Sequence, residues 1–193
     1  MSFSSPSPAR PEPARRACLG ALAGTLAASL LAPPAQAGRL DPEARLPGAR
    51  VSAPVRLTVW GLAIYDARLW ALPDFRPEAF AQHPLVLELR YLRAFAGADI
   101  ARRSIQEMQQ LSPLTPAQTQ DWRSSMQALF PDVQPGDRLA GRLQPGQPTT
   151  FWHNERPLGA VQDPAFGPRF FGIWLDPRTR APALRTGLLQ GLT

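Results

Sequence analysis

The 193-residue sequence contains no lysine, so its 21 cations other than histidine are all arginines. It has one cysteine, Cys18, and two isolated histidines, His83 and His153. A disulfide needs two cysteines, and metal sites of the zinc type need several cysteine or histidine ligands at short spacing. A glycine-rich phosphate loop and a Ser-His-Asp arrangement are also absent. The sequence therefore predicts no metal site, no internal disulfide and no cofactor.

Long hydrophobic runs are equally scarce. The one uncharged apolar run, Ala17–Ala32, has about 16 residues, and a membrane-spanning helix needs ~20. Three arginines precede it, two prolines follow it, and the small-residue sequence Ala35-Gln36-Ala37 comes next. This order is typical of a secretory signal peptide. We predict that residues 1–37 are a signal peptide cleaved after Ala37 and that the protein is periplasmic; Arg15-Arg16 leaves the general and twin-arginine routes both open.

The charge balance suggests a nucleic-acid or membrane-surface protein, since cations exceed acids by 6 and the pI is about 11.1. The predicted leader carries three of the arginines and one acid. Elsewhere the two signs are interleaved, as in Asp176–Arg180, without a run of five like charges. We therefore expect no nucleic-acid binding, and at most weak, unspecific contact with a membrane surface. Nothing in the sequence indicates an oligomeric state.

Proline is abundant, with 23 residues against a usual share of ~5%. The 44% of hydrophobic residues nevertheless predicts a folded core. Beyond the leader, the prolines fall between periodic segments, where they interrupt no strand or helix. We divide the chain into the signal peptide, an N-terminal segment at 38–54 and one folded domain at 55–193.

Alternation and β-branched or aromatic content predict strands in two groups. The first pair forms a hairpin around Gly61, and the third strand alternates leucine and tyrosine with charged residues. The predicted strands are Arg56–Trp60, Leu62–Trp70, Leu85–Leu92, Asp137–Leu143, Thr149–His153 and Pro157–Val161.

Helical periodicity predicts two helices between these groups, Ala98–Leu111 and Pro116–Phe130. The second begins with a capping box of Thr115 and Gln118. Two more helices follow the last strand: one opened by Asp163-Pro164 that carries Phe166 to Trp174, and a short one at Ala183–Gln190. This order predicts an α+β fold, an open-faced sandwich with an antiparallel sheet covered on one face by a layer of helices.

Four blocks in series resemble one family: Gly61–Trp70, Phe130–Asp137, Phe151–Gly159 and Phe170–Pro177, with Leu188-Leu189 near the end. In this order and spacing they are similar to the bacterial branch of the chalcone isomerase-like family. The resemblance implies the same open-faced sandwich, which agrees with the order of predicted elements. Its plant enzymes cyclise chalcones to flavanones by attack of a phenolate on an enone.

The resemblance implies few of the catalytic residues. Arg56 corresponds to the arginine that positions the ketone and phenolate. Trp60 falls nearest to the catalytic threonine, with Thr58 two residues away on the same face of a regular strand. Ile100 and Glu107 stand where the enzymes carry tyrosine and asparagine, and Tyr65 matches a structural tyrosine. Branches that lack the catalytic set bind fatty acids or act as non-catalytic partners.

Three functions remain open. The first is a protein without isomerase activity that binds a small apolar or fatty-acid-like ligand between sheet and helices, through Arg56, Trp60 and Tyr65. The second is an isomerase acting on a conjugated carbonyl, with Arg56 as electrophile and Thr58 or Tyr65 ordering a water. The third is a ligand-free structural or accessory envelope protein.

Each candidate residue also has a purely structural interpretation. Arg56 is either a ligand contact or a strand-edge arginine paired with an acid, and Tyr65 either a ligand contact or a core tyrosine. Glu107 is either a buried base or a solvated partner of Arg103 one helical turn away. The larger aromatic side chains either line a cleft or form the core: Trp60, Trp152, Phe170, Phe171 and Trp174.

Overall fold

The computed structural model describes residues 45–192. The predicted signal peptide and the first part of the 38–54 segment lie outside these residues. No helix within the described range is long and apolar enough to span a membrane.

A single antiparallel sheet of seven strands forms the base of the domain. Its path is β1-β3-β4-β5-β6-β7, and β2 pairs with the same edge of β3 as β1 does. The strands are β1 (Arg50–Val51), β2 (Val55–Val59), β3 (Leu62–Ala71), β4 (Leu85–Tyr91), β5 (Arg138–Leu143), β6 (Thr149–His153) and β7 (Arg156–Val161). All six strands predicted from the sequence are present.

The four predicted α-helices are present, two between β4 and β5 and two after β7, and a short 3-10 helix at Pro77–Gln82 precedes β4. The capping box at the second helix is confirmed: Thr115 Oγ1 accepts from the Gln118 backbone N–H, and Gln118 Oε1 from that of Thr115. The helices are α1 (Gly97–Leu111), α2 (Pro116–Leu129), α3 (Phe166–Leu175) and α4 (Pro182–Leu189). The α+β open-faced sandwich predicted from the sequence is confirmed.

Alternation along the strands gives the sheet two unlike faces. The face beneath the helices, called here the helix face, carries most of the core, including Leu69, Leu87 and Phe151. The opposite face, called the open face, has a small apolar cluster in which Leu46 of the N-terminal segment packs on Trp70, Val86 and Ala140. The large core thus lies between sheet and helices.

The predicted hairpin around Gly61 is present, and it has two local features that the sequence did not predict. The hairpin turn consists of Trp60 and Gly61, both at positive φ (49° and 78°), which is the geometry of a type I′ turn. Within the hairpin, Leu57 pairs with Tyr65 but Thr58 pairs with Ala63, so a bulge leaves Ile64 unpaired with β2. The bulge shifts the register of the hairpin tip relative to the rest of β3.

The start of α1 requires glycine at position 97, and this gives a test of the packing. A Cβ at Gly97 would lie 2.0 Å from the Phe130 carbonyl oxygen, whereas one at Gly172, inside α3, would meet nothing closer than 3.6 Å. We expect Gly97→Ala to lower the free energy of unfolding by about 3 kcal/mol. Gly172→Ala should raise it by about 0.5–1 kcal/mol, because alanine is the better helix former. Urea unfolding of both variants measures the difference, and equal effects would contradict the packing.

Candidate functional site

An apolar cavity lies beneath α3, at the centre of the sheet. Phe170 and Trp174, one helical turn apart, form its roof, and side chains of β4, β5 and β6 form its floor. The lining residues are Leu87, Leu89, Leu139, Gly141, Phe151, Phe170 and Trp174. Its volume is about 10 Å³, room for about one water molecule. The helix and sheet are therefore in near-complete contact at this point.

Ring packing determines the shape of the cavity. Phe170 stacks on Phe166 with ring centroids 5.1 Å apart and meets Phe151 and Trp174 edge-on, each at 5.3 Å. Gly141 allows the close approach, since a Cβ there would lie 2.9 Å from the Phe151 ring. Of the aromatic candidates, Phe170 and Trp174 therefore line the cavity, while Trp152 lies on the open face beneath Arg45.

Tyr65 connects this cavity to a polar group. The Trp174 Nε1–H donates a hydrogen bond of 2.9 Å to the Tyr65 hydroxyl oxygen. Burial raises the pKa of Tyr65 to about 12, so its side chain is a neutral phenol at physiological pH. Within residues 45–192, the Tyr65 hydroxyl proton itself is donated to no acceptor. Tyr65 can therefore donate one hydrogen bond to an incoming oxygen.

An ion pair on α1 lies near Tyr65. The Glu107 carboxylate is 2.5 Å from the Arg103 guanidinium, which confirms the predicted pair. The pair is only half solvated: 15% of the Glu107 side chain is exposed, against 67% of the Arg103 side chain. Glu107 acts to raise the pKa of Tyr65, and Arg103 acts to lower it. The surroundings of the phenol thus carry two charges of opposite sign.

Arg56 lies on the other side of the sheet. Its neighbours Val55 and Leu57 pack toward the helices, so Arg56 itself projects from the open face. Its Nε and Nη2 donate to the two carboxylate oxygens of Asp66, at 2.8 and 3.0 Å. These hydrogen bonds hold the pKa of Asp66 below its ordinary value. Of the two interpretations of Arg56 given above, the structure therefore shows the second, a strand-edge arginine paired with an acid.

Thr58 and Trp60 lie further along the same hairpin. Thr58 is exposed on β2, and the Trp60 side chain is almost completely solvent-exposed at the turn. The structure therefore does not bring the four candidate residues together. Tyr65 alone adjoins the cavity, and Arg56, Thr58 and Trp60 do not face it.

Comparison with known sequences decides the family. The family model described as chalcone isomerase-like matches residues 64–190. The chain belongs to the chalcone isomerase-like family. The matched region includes most of β3, all of β4 to β7 and all four helices, whereas β1 and β2 precede it.

One sequence relative and one solved structure of similar fold add to this result. An uncharacterised protein of Haemophilus influenzae is 34% identical over 108 residues, 56% of this chain and 52% of that protein, so the chain spans about half the length of this relative. A crystal structure of a fatty-acid binding protein from Arabidopsis thaliana matches with a TM-score of 0.56 and 9% identity, over 76% of this chain and 89% of that one. At this identity the likeness concerns the fold alone.

The α1 positions that correspond to the tyrosine and asparagine of the family's enzymes hold different chemistry. Ile100 is apolar and packs against the core. Glu107 is bound to Arg103, as described above. Neither residue offers the neutral hydrogen-bonding group that the resemblance implies for an isomerase.

The floor of the cavity was not identified from the sequence, because Leu87, Leu89 and Leu139 look like ordinary residues of half-buried strands. One signal was available: Gly141 in the middle of β5, since an interior glycine marks a close approach of neighbouring groups.

No cluster of three metal-ligating residues occurs in the described part of the chain. His153 Nε2 lies 3.3 Å from the Asp137 carboxylate.

The hydrogen bond between Trp174 and Tyr65 gives a matched test. Tyr65→Phe leaves the largely buried indole N–H without an acceptor and should lower the free energy of unfolding by about 1–3 kcal/mol. Tyr91 pairs directly with Tyr65 across the strands, with ring centroids 6.0 Å apart, and its hydroxyl bonds to no described residue. Tyr91→Phe should therefore cost less than about 0.5 kcal/mol. Urea unfolding measures both, and an equal loss would contradict the assigned bond.

Proposed function

We propose that this protein is an exported, non-catalytic member of the chalcone isomerase-like family that binds a small apolar or fatty-acid-like ligand between α3 and the sheet. One observation carries the proposal: the apolar cavity has, as a wall residue, an indole bonded to a neutral phenol that has a proton to donate. The apolar cavity walls suit the hydrocarbon chain of a ligand, and the Tyr65 O–H can donate a hydrogen bond to an acceptor oxygen of that ligand.

Binding requires α3 side chains to move. The cavity has room for about one water, so a ligand of several carbons enters only when Phe170 and Trp174 turn aside. As Trp174 turns, its hydrogen bond to the Tyr65 oxygen breaks, and the ligand oxygen accepts a separate hydrogen bond from the Tyr65 hydroxyl proton. The burial of apolar ligand surface, about 25 cal/mol per Å², offsets the cost of separating the rings.

The fold supports this choice of ligand class. The matching Arabidopsis structure is that of a fatty-acid binding protein, so one protein with this architecture takes such a ligand. Because the identity is 9%, the ligand class stays part of the proposal.

The small size of the cavity favours a second candidate, a ligand-free structural or accessory envelope protein.

An isomerase receives less support. It would need Arg56 and Tyr65, or Arg56 and Thr58, around one substrate, yet Arg56 is held by Asp66 on the open face and Tyr65 lies on the helix face. Turnover of chalcones that is lost in Arg56→Ala would restore the enzyme hypothesis.

Two phenylalanines of α3 provide a matched test of ligand binding. Phe170→Leu enlarges the cavity, whereas Phe166→Leu makes the same change at a buried position that does not line it. Both should lose about 1 kcal/mol of stability. We expect long-chain fatty acids to raise the Tm of the wild type and to raise that of Phe170→Leu further, with Phe166→Leu responding like the wild type.

Thermal unfolding with a fatty-acid panel and mass spectrometry of co-purifying lipids measure this response. If the wild type and Phe170→Leu both purify without lipid, and no fatty acid changes the Tm of either, the ligand-binding proposal is overturned. That result would support the ligand-free candidate. Tyr65→Phe should weaken binding of the acids, because it removes the hydrogen-bond donor.

Export has its own test. The full chain, 21.1 kDa, should be recovered from the periplasmic fraction as a shorter form that begins at Gly38. Intact-mass measurement identifies the N-terminus. Replacing both Arg15 and Arg16 by lysine should stop export by the twin-arginine route and leave general secretion intact. Full-length protein confined to the cytoplasm would contradict the proposal.

A further inference from the structure

The tip of the β2–β3 hairpin is the main exposed apolar feature of the described chain. Trp60 is 97% exposed, and its neighbours Leu62 and Val59 are 49% and 39% exposed. β4 ends opposite Tyr65, so these residues extend past the end of the neighbouring strand. Three adjacent large apolar side chains therefore face solvent at one end of the sheet, in a patch called here the hairpin tip.

Tryptophan is also unfavourable for the backbone conformation at position 60. It occupies the first central position of the type I′ turn at φ 49°, where Asn, Asp and Gly are strongly preferred. A bulky side chain at positive φ costs free energy. Because the Trp60 side chain is almost fully exposed, packing within the protein does not offset this cost. Folding alone therefore does not account for a tryptophan here.

A pair of arginines lies at the same end of the sheet, on the open face. Arg90 is the penultimate residue of β4 and pairs directly with Arg138, the first residue of β5. Both are exposed, and neither guanidinium bonds to any described residue. Like charges placed directly opposite each other on adjacent strands are destabilising. The cross-strand neighbour of Arg90 is Asp66, which has both carboxylate oxygens on Arg56, so its attraction for Arg90 is shared between two guanidinium groups.

We propose that the hairpin tip and the Arg90–Arg138 pair form one docking surface for a lipid bilayer with anionic headgroups. Tryptophan suits the bilayer interface because its ring is apolar and its N–H is polar. The planar guanidinium matches phosphate oxygens in pairs, and an anion between Arg90 and Arg138 removes their repulsion. A polyanion alone would leave the apolar tip in water, and an apolar partner alone would leave the arginine pair unmatched.

The N-terminal segment covers part of the open face. Leu46 packs on the apolar cluster at the far end, and Arg45 lies over Trp152 with its guanidinium carbon 4.6 Å from the ring centre. Arg45 also donates a hydrogen bond of 3.2 Å to the backbone oxygen of Asn154, whose side chain accepts from the Arg138 backbone N–H, so the Arg45 guanidinium lies near the row of Arg138. The bilayer surface therefore consists of the hairpin tip and the first row of charged residues beside it. It is separate from the cavity on the helix face and does not depend on the ligand proposed above.

Vesicle sedimentation tests the proposal with the protein expressed from its whole chain, so that all variants share the same N-terminus. We expect binding to vesicles of phosphatidylcholine mixed with phosphatidylglycerol, a blue shift of tryptophan emission on binding, and little binding to phosphatidylcholine alone. Trp60→Asn should weaken binding about tenfold, while its stability stays equal or rises, because Asn suits the turn. The double variant Arg90→Gln/Arg138→Gln should lose most of the binding and its salt dependence.

The matched control is Arg76→Gln/Arg180→Gln, which removes two exposed arginines that make no ion pair with described residues and lie away from this face. It should bind like the wild type. If it loses as much binding as Arg90→Gln/Arg138→Gln, the attraction follows net charge and the proposal fails. It also fails if no vesicle is bound, or if sedimentation equilibrium gives a dimer that Trp60→Asn converts to a monomer, since a second copy then covers the tip.

Discussion

The alternation of β3 is the constraint on which the rest of the structure depends. This strand pairs with three others, so its register fixes the position of β1, β2 and β4 together. Tyr65, Ala67 and Leu69 enter the main core, and the residues between them project from the open face. A single strand therefore determines that the phenol beside the cavity and the carboxylate that holds Arg56 belong to different surfaces.

This division decides what the cavity offers a ligand. A cation on the helix face would select a charged headgroup, but the Tyr65 phenol is neutral and the nearby Arg103–Glu107 pair is internally compensated. Selection of the proposed ligand must then come from hydrogen bonding and apolar burial, whose strength depends on how far the α3 rings separate from the sheet. Phe170 and Trp174 form the roof, so the cost of opening falls on these two side chains and includes the ring contacts that Phe170 makes with Phe166 and Trp174.

The sequence predicted the elements well, because each has a local signal. β4 alternates leucine and tyrosine with Glu88 and Arg90, and α2 has a capping box that Thr115 and Gln118 form as expected. The candidate site was less predictable. Whether Arg56 meets a ligand or an acid depends on its register against Asp66, and a bulge at Ile64 changes that register within the same hairpin. A family resemblance aligns residues along the chain, but it does not determine the face to which each side chain projects.

Unfavourable local choices concentrate at one end of this sheet. A tryptophan occupies a turn position suited to asparagine, and two arginines oppose each other across β4 and β5. At the opposite end of the sheet, the open face has ordinary apolar packing, with Leu46 on an apolar cluster. Sequences that fold well agree with their structure at every level, so a local disagreement is expected where function imposes it. The two features disagree with the fold in complementary ways, one apolar and one cationic, and an anionic bilayer is the environment that relieves both.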